Sequence, residues 1–140
     1  MRQASFRCLT CHTIISNTAV GTKHRNHCPF CLWSRHVDLK IPGDRRSPCG
    51  ARMKPIGLTF KNVKTNPFTD RTSGELMIVH LCLNCGKISC NRIAGDDNSY
   101  AIISLLDNST KLSSRGVRLL TQKDKQEVLI ALYGYGYQKY

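Results

Sequence analysis

This sequence is poor in acids, with nine Asp and Glu against 21 Lys and Arg in 140 residues, a formal charge of +12. Aromatics are also scarce, at 7% of the chain. No long apolar run is present. The most apolar stretch, Leu76 to Leu83, contains His80 and falls far short of the roughly 20 apolar residues that cross a bilayer. A membrane role is therefore not expected. The segment from Met1 to Arg7 runs into Cys8 with no apolar core and no small-residue cleavage site, so a secretory signal is not expected either. The apolar fraction of 41% includes eight cysteines, which leaves less greasy material than an ordinary domain carries. A chain of this length is expected to form one domain or two very small ones, and something besides a large core must hold it together.

Eight cysteines suggest either disulfides or metal. Without a secretory segment the expected compartment is the reducing cytoplasm, where disulfides are rare, so metal is the leading reading. Cys8-Leu9-Thr10-Cys11 and Cys28-Pro29-Phe30-Cys31 are two C-x2-C pairs separated by 16 residues. Each pair can present two thiolates to one ion, and two pairs close a tetrahedral four-sulfur shell around zinc. A redox C-x2-C normally comes singly and precedes a helix, whereas these pairs are followed by turn residues.

A second site is less complete. Cys82-Leu83-Asn84-Cys85-Gly86 is a third knuckle, but Arg46-Ser47-Pro48-Cys49-Gly50 has Arg46 where a first cysteine would stand. Cys49, Cys82 and Cys85 are three clear thiolates. The fourth ligand is to come from His36, Cys90 or His80, with His36 preferred. Cys8 to Asn17 aligns with Cys82 to Asn91 at both cysteines, the leucine, an isoleucine and the asparagine, which suggests two related ribbon units. In that alignment Cys90 falls opposite Ser16, which points to a packing role for Cys90. His80 sits two residues before Cys82 on an expected strand and faces away from the knuckle. Both zinc ions are expected to be structural. The zinc deaminase signature is absent: no H-x-E occurs, and Pro48-Cys49 is not followed by a second cysteine at the required spacing.

The rest of the chain reads as an α+β domain. Ile56 to Val63 and Gly74 to Leu83 are predicted strands, the second apolar enough to be buried on both faces, with Lys64 to Ser73 a polar hairpin loop between them. Asp97-Asn98-Ser99 is placed to cap a helix through Leu106, with Asp96 and Asp97 complementing its dipole. Thr121 and Asp124 form a capping-box pair for a helix that carries Val128, Leu129, Ala131, Leu132 and Tyr133 on its apolar side and ends at Gly134. Ser109 to Arg118 reads as a linker or loop, and Tyr133 to Tyr140 as a flexible tail. The expected architecture is a small zinc-stabilised domain of two zinc-ribbon-like β units over residues 1–97, then a helical C-terminal extension over 98–140.

At Arg25-Asn26-His27-Cys28-Pro29 the sequence resembles the RNHCP domain family, small and mainly bacterial zinc-ribbon-like proteins named for that pentapeptide. The resemblance extends through Phe30-Cys31-Leu32-Trp33-Ser34, His36-Val37-Asp38, Pro42-Gly43-Asp44-Arg45, Cys49-Gly50, Met53, Pro55-Ile56, Cys82, Cys85-Gly86, Asn91-Arg92 and Asp96-Asp97-Asn98. It covers about residues 5–100 and implies a metal-binding domain, without implying a defined activity.

Charge and function remain. Residues 1–54 carry ten basic residues against two acids, a net +8, while residues 55–140 carry a net +4. The positive charge therefore sits on the cysteine-rich half. Lys23, His24, Arg25, Asn26, His27, Trp33, Arg35 and His36, with Arg45, Arg46, Arg52 and Lys54, mix cations with Trp33, while Phe30 is expected to pack inside its knuckle. Cations bind phosphate with counterion release, and an aromatic beside them stacks on an unpaired base. The leading expectation is a monomeric nucleic-acid-binding module, for RNA over DNA and most plausibly structured or ribosomal RNA, contacted by Lys23, Arg25, Trp33, Arg35, Arg45 and Arg46. Two alternatives stand beside it. One is a protein-interaction adaptor docking on a larger complex through Val128, Leu129 and Leu132. The other is a magnesium-dependent nuclease of His-Asn-His type using His24, Asn26 and His27, with Asp38, Asp44, Asp96 or Asp97 as further ligands. An enzyme is not the favoured reading.

Overall fold

The computed structural model describes residues 5–16, 25, 27–39, 46–65, 67–68, 72–107, 113–114 and 117–133. It is mostly β. Strands β1 (Ser5–Arg7) and β2 (Ile14–Ser16) form a short antiparallel pair around the first C-x2-C. Strands β3 (Ser34–Arg35), β4 (Arg52–Thr65), β5 (Thr72–Cys82) and β6 (Ile88–Arg92) form a four-stranded antiparallel sheet in that order. Helix α1 (Ser99–Ser104), a small ladder of β7 (Ser113–Ser114) with β8 (Val117–Arg118), a 3-10 turn at Gln122–Asp124 and helix α2 (Lys125–Tyr133) follow. No helix of the described residues is long and apolar enough to cross a membrane.

The β4–β5 hairpin is the spine. Leu58, Ile78 and Val79 are fully buried, and the adjacent Ile78 and Val79 show that β5 is covered on both faces. Pro55 donates no hydrogen bond, yet it is tolerated because β3 pairs only as far as Arg52 and Met53, which leaves β4 an edge from there on. A register shift between Pro55 and Gly57 marks a bulge at the same place. The polar stretch expected as a loop is shorter: pairing continues through Lys64 with Ser73 and Thr65 with Thr72. Backbone pairing does not need apolar side chains, so a polar sequence does not end a hairpin. The expected linker at Ser109 to Arg118 likewise contains the β7–β8 ladder.

One core joins sheet and helices. Leu32, Leu58, Leu76 and Ile78 pack with Ile102, Leu105, Leu106, Leu120 and Val128, so residues on both sides of position 97 share it. The capping box of Thr121 and Asp124 is formed, with the Thr121 amide donating to Asp124 Oδ2 at 2.9 Å. It starts the 3-10 turn, and α2 follows. Of the apolar side expected on α2, Val128 and Leu129 are buried, Leu132 is half-buried, and Ala131 and Tyr133 are exposed. The adaptor surface expected at Val128 and Leu129 is thus turned into the protein. The tail beyond Tyr133 lies outside the described residues.

A buried polar network ties the pentapeptide to the start of α1. The His27 Nε2–H donates to Asp97 Oδ2 at 2.8 Å, with both side chains enclosed. Arg25, 2% exposed, pairs with Asp96 and also donates to the Ser16 carbonyl at 3.3 Å. The Asn98 amide donates to the Pro29 carbonyl at 2.8 Å. Alternate residues of the pentapeptide thus meet consecutive residues of the Asp96-Asp97-Asn98 segment. Asp97 therefore does not serve the helix dipole as expected. Its Oδ2 also accepts from the Ala94 amide at 2.8 Å, and Asn98 caps α1, its Oδ1 accepting from the Ala101 amide. Behind them His80 is fully buried, its Nε2–H donating to the Leu32 carbonyl at 2.6 Å and its Nδ1 accepting from Asn91 Nδ2 at 2.8 Å. Burial pushes its pKa down to about 3, so it stays neutral.

Breaking one partner of a buried pair strands the other. His27→Ala is expected to lower unfolding stability by about 3 kcal/mol, read by urea denaturation of the zinc-loaded protein. A loss below about 1 kcal/mol contradicts this role.

Candidate metal centres and the basic face

Two clusters gather the ligand-type side chains. Cys8, Cys11, Cys28 and Cys31 form one, and His36, Cys49, Cys82 and Cys85 the other, with the ligand atoms of each within 4.8 Å of one another. In the first, Cys8 Sγ lies 3.6 Å from Cys31 Sγ, and Cys11 Sγ lies 3.6 Å from Cys28 Sγ. In the second, Cys49 Sγ is 3.6 Å from Cys82 Sγ, and Cys85 Sγ is 3.4 Å from His36 Nδ1. Sulfurs about 2.3 Å from a common tetrahedral centre stand about 3.8 Å apart, and a sulfur and an imidazole nitrogen about 3.6 Å. Disulfides are excluded, since their sulfurs lie about 2.05 Å apart and these cysteines are free. The donor sets, four thiolates and one imidazole with three thiolates, fit two structural zinc ions with closed shells.

The backbone explains the geometry. In each C-x2-C the first cysteine donates its amide to the carbonyl five residues on, and the amide four residues on returns to its own carbonyl. Cys8 pairs this way with Thr13 and His12, Cys28 with Trp33 and Leu32, and Cys82 with Lys87 and Gly86, all at 2.8–3.1 Å. The residue that closes each turn is left-handed: His12 at φ 65°, Leu32 at 67° and Gly86 at 76°. Amides inside the turns point at sulfur, as from Thr10 to Cys8 and Phe30 to Cys28, both at 3.4 Å.

His36 and Cys49 repeat the pattern across an insertion. The His36 amide donates to the Ala51 carbonyl at 2.9 Å, and the Gly50 amide donates to the His36 carbonyl at 3.0 Å. Gly50, at φ 62°, is the fourth left-handed residue, and it too follows a cysteine ligand. His36 thus stands where the first cysteine of a knuckle stands, and residues 37–48 take the place of the usual two. Arg46, which occupies the cysteine spacing in sequence, lies within that insertion and is exposed. Cys90 is half-buried on β6 opposite Val79, and His80 is in the polar network, so both lie outside the cluster.

The thiols differ in readiness to ionise. Hydrogen bonds from Thr13 hold Cys11 down at about 6, and the Asn84 side chain leads the groups that hold Cys49 at about 6. Burial pushes Cys28 and Cys31 up. A dication at the centre supplies the field that lets the raised thiols deprotonate as well.

The expected nucleic-acid contacts are scattered. Arg25 is inside the protein, because Asp96 pairs with it from far along the chain. Lys23 and Arg45 lie outside the described residues. Arg35 is exposed, its Nε–H donating to the Gly50 carbonyl at 3.0 Å. Trp33 is half-buried, with the Arg52 guanidinium 5.3 Å from its ring centroid. Arg35 lies directly opposite Arg52 across β3 and β4, and Lys54 follows Arg52 at the same-face spacing. These four residues make one basic and aromatic face. Phe30 is not packed in its knuckle but 59% exposed. Of the residues named for a nuclease site, His27 is enclosed against Asp97, while His24, Asn26 and Asp44 lie outside the described residues.

The family model of the RNHCP domain matches residues 3–103. No curated protein and no solved structure matches the chain.

Metal analysis of purified protein is expected to give two zinc per chain. Cys28→Ser is expected to lose the first zinc and His36→Ala the second, while His36→Cys keeps two. Equal metal content in His36→Ala and the parent would remove His36 from the shell.

Proposed function

Starting from the fact that this chain belongs to the RNHCP domain family, we propose that its two zinc centres hold a surface for nucleic acid. The two clusters act as paired zinc ribbons, β1–β2 with the first and the ends of the main sheet with the second. The observation that carries the reading is the cross-strand juxtaposition of Arg35 and Arg52 beside Trp33, with Lys54 along the strand. Like charges placed opposite each other oppose strand pairing, and an anion between them reverses the sign. Phosphate supplies that anion, and the guanidinium over an indole offers a flat platform for a base.

Charge supports the same reading. Seven thiolates and two Zn²⁺ bring the formal +12 to +9, so metal binding leaves the chain strongly basic. Thiolate ligands stay reduced most readily in cytoplasm, which is the compartment this reading implies. RNA is preferred over DNA because exposed Phe30 and half-exposed Trp33 suit unpaired bases, which loops of structured RNA such as ribosomal RNA present. The module acts as a monomer and without catalysis.

Affinity for a single-stranded RNA is expected to fall linearly on a log scale with salt, losing about 0.7 of slope for each phosphate contact removed. Arg52→Ala with Lys54→Ala is expected to lower the slope by about 1.4 at unchanged zinc content, measured by fluorescence anisotropy between low and moderate salt. An unchanged slope would move the contact elsewhere, and no binding at low salt would sink the reading.

A further inference from the structure

Two aromatic side chains stand open to solvent where the pentapeptide meets α1. Phe30 follows the pentapeptide directly and is 59% exposed, and Tyr100 is the second residue of α1 and is 82% exposed. Their backbones are joined: the Asn98 amide, two residues before Tyr100, donates at 2.8 Å to the carbonyl of Pro29, one residue before Phe30. The inward positions beside them are already filled, by buried Pro29 and fully buried Ile102. At such exposure both ring faces of Tyr100 are left to water, so packing accounts for the neighbours and not for the two rings.

Scattered apolar side chains on a surface are ordinary. These two differ in sharing one joint and in standing on fixed backbone. Phe30 lies between the ligands Cys28 and Cys31, and its amide points at Cys28 Sγ at 3.4 Å. Tyr100 is held by the Asn98 cap and by the burial of Ile102 in the same short helix. Rings mounted this way lose little freedom when a ligand covers them. Phe30 also shares one closed turn, Cys28 to Trp33, with the indole that meets Arg52. Asp96, the exposed acid beside the joint, is paired with Arg25, and the chain as a whole remains basic with both metals bound. A partner for this surface carries negative charge along its length and flat apolar faces at its side. An unpaired nucleic-acid strand has both, whereas a duplex hides its ring faces in its own stack and an acidic peptide has none at most positions.

We infer that Phe30 and Tyr100 form a stacking site for unpaired bases beside the basic face, so that the partner is a single-stranded segment. Its phosphates lie on Arg35, Arg52 and Lys54, and neighbouring bases lie on the two rings. The inference rests on the nucleic-acid reading above and adds to it the strandedness of the partner and a contact, Tyr100, that charge does not mark. The two kinds of contact respond differently to salt. Phosphate contacts release counterions, and stacking on a neutral ring releases none.

The test is fluorescence anisotropy of the full-length, zinc-loaded protein with a labelled single-stranded RNA and with the same RNA annealed to its complement, over a range of salt. Tyr100→Ala and Phe30→Ala are each expected to weaken binding of the single strand about tenfold at every salt concentration, the scale of one base stacked on one ring, with the salt slope unchanged. Tyr100→Phe keeps the ring and is expected to keep the affinity. The duplex is expected to bind the parent and Tyr100→Ala alike. Both positions are exposed, so zinc content is expected to stay at two in every variant. Unchanged affinity in Tyr100→Ala, an equal loss on the duplex, or a loss in Tyr100→Phe as large as in Tyr100→Ala would overturn the inference. So would binding to phosphatidylserine vesicles that Tyr100→Ala abolishes while RNA binding stays, which assigns the rings to a membrane surface. If the parent binds with its expected slope and Tyr100→Ala changes nothing, the stacking site fails and the basic face stands. If Arg52→Ala with Lys54→Ala leaves the slope unchanged while Tyr100→Ala still weakens binding, the basic face fails and the stacking site stands. No binding at low salt sinks both.

Discussion

The ligand shell of a tetrahedral dication is the constraint on which this molecule depends. Four donor atoms must converge on one point, and the chain meets that requirement twice with one backbone device, neighbouring donors standing 3.4–3.6 Å apart in each centre. A turn closes on the first ligand and its last residue turns left-handed, and in the first centre the amides inside also point at sulfur. The device tolerates side chains at its left-handed position, since His12 and Leu32 adopt it as Gly50 and Gly86 do. It also tolerates an insertion. His36 and Cys49 keep both closing hydrogen bonds although a dozen residues separate them, so the knuckle is defined by its closing bonds and not by the length between its ligands. Structural zinc binding of this kind contributes on the order of 10 kcal/mol to folding, comparable with the whole net stability of a small domain.

The first centre connects to the main core through the pentapeptide. Cys28 is a ligand, and its neighbours His27 and Pro29 are held by Asp97 and Asn98. Leu32, which closes the second knuckle, is in the main core and offers its carbonyl to buried His80. Metal, polar network and apolar core are thus consecutive along eight residues of chain. A purely apolar joint would have been simpler. Here directional bonds fix the orientation of the first centre relative to the sheet, at the cost of burying ionisable groups that must each find a partner.

This arrangement explains what was legible in the sequence. The four-cysteine centre was, because both of its pairs are local and their spacing carries the chemistry. The capping box at Thr121 and Asp124 was, for the same reason. His36 stood out only as one of three candidates, since a knuckle interrupted by an insertion has no spacing signature and appears only when β3 is laid beside β4. Arg25 read as a surface cation because its partner Asp96 lies 71 residues away, and Asp97 read as a helix cap because His27 lies 70 away. Charge alone does not say which cations are enclosed. Phe30 read as packed because apolar residues usually are, but a knuckle turns its middle residues outward, and Leu9 and Leu83 are half exposed at related positions. The signal available in advance was the pentapeptide matched with a distant pair of adjacent acids.

The same metal centres account for how the sheet carries Arg35 opposite Arg52. Two unit charges about 4 Å apart in water repel by about 1 kcal/mol, enough to discourage a two-residue strand from pairing at all. Yet β3 contributes only Ser34 and Arg35, and its pairing survives. The reason lies one residue on. His36 is bound into the second cluster with Cys49, and its amide and carbonyl are fixed to Ala51 and Gly50 beside the start of β4. Ligation sets the position of β3 with an energy about tenfold larger than the repulsion it must overcome. The guanidinium groups are then drawn apart, Arg35 to the Gly50 carbonyl and Arg52 to the Trp33 ring. A strand held only by its own side-chain pairs gives up as much as about 1 kcal/mol to two cations in register. A strand held by zinc absorbs that cost, so the metal centres beside the core also free a surface to be basic.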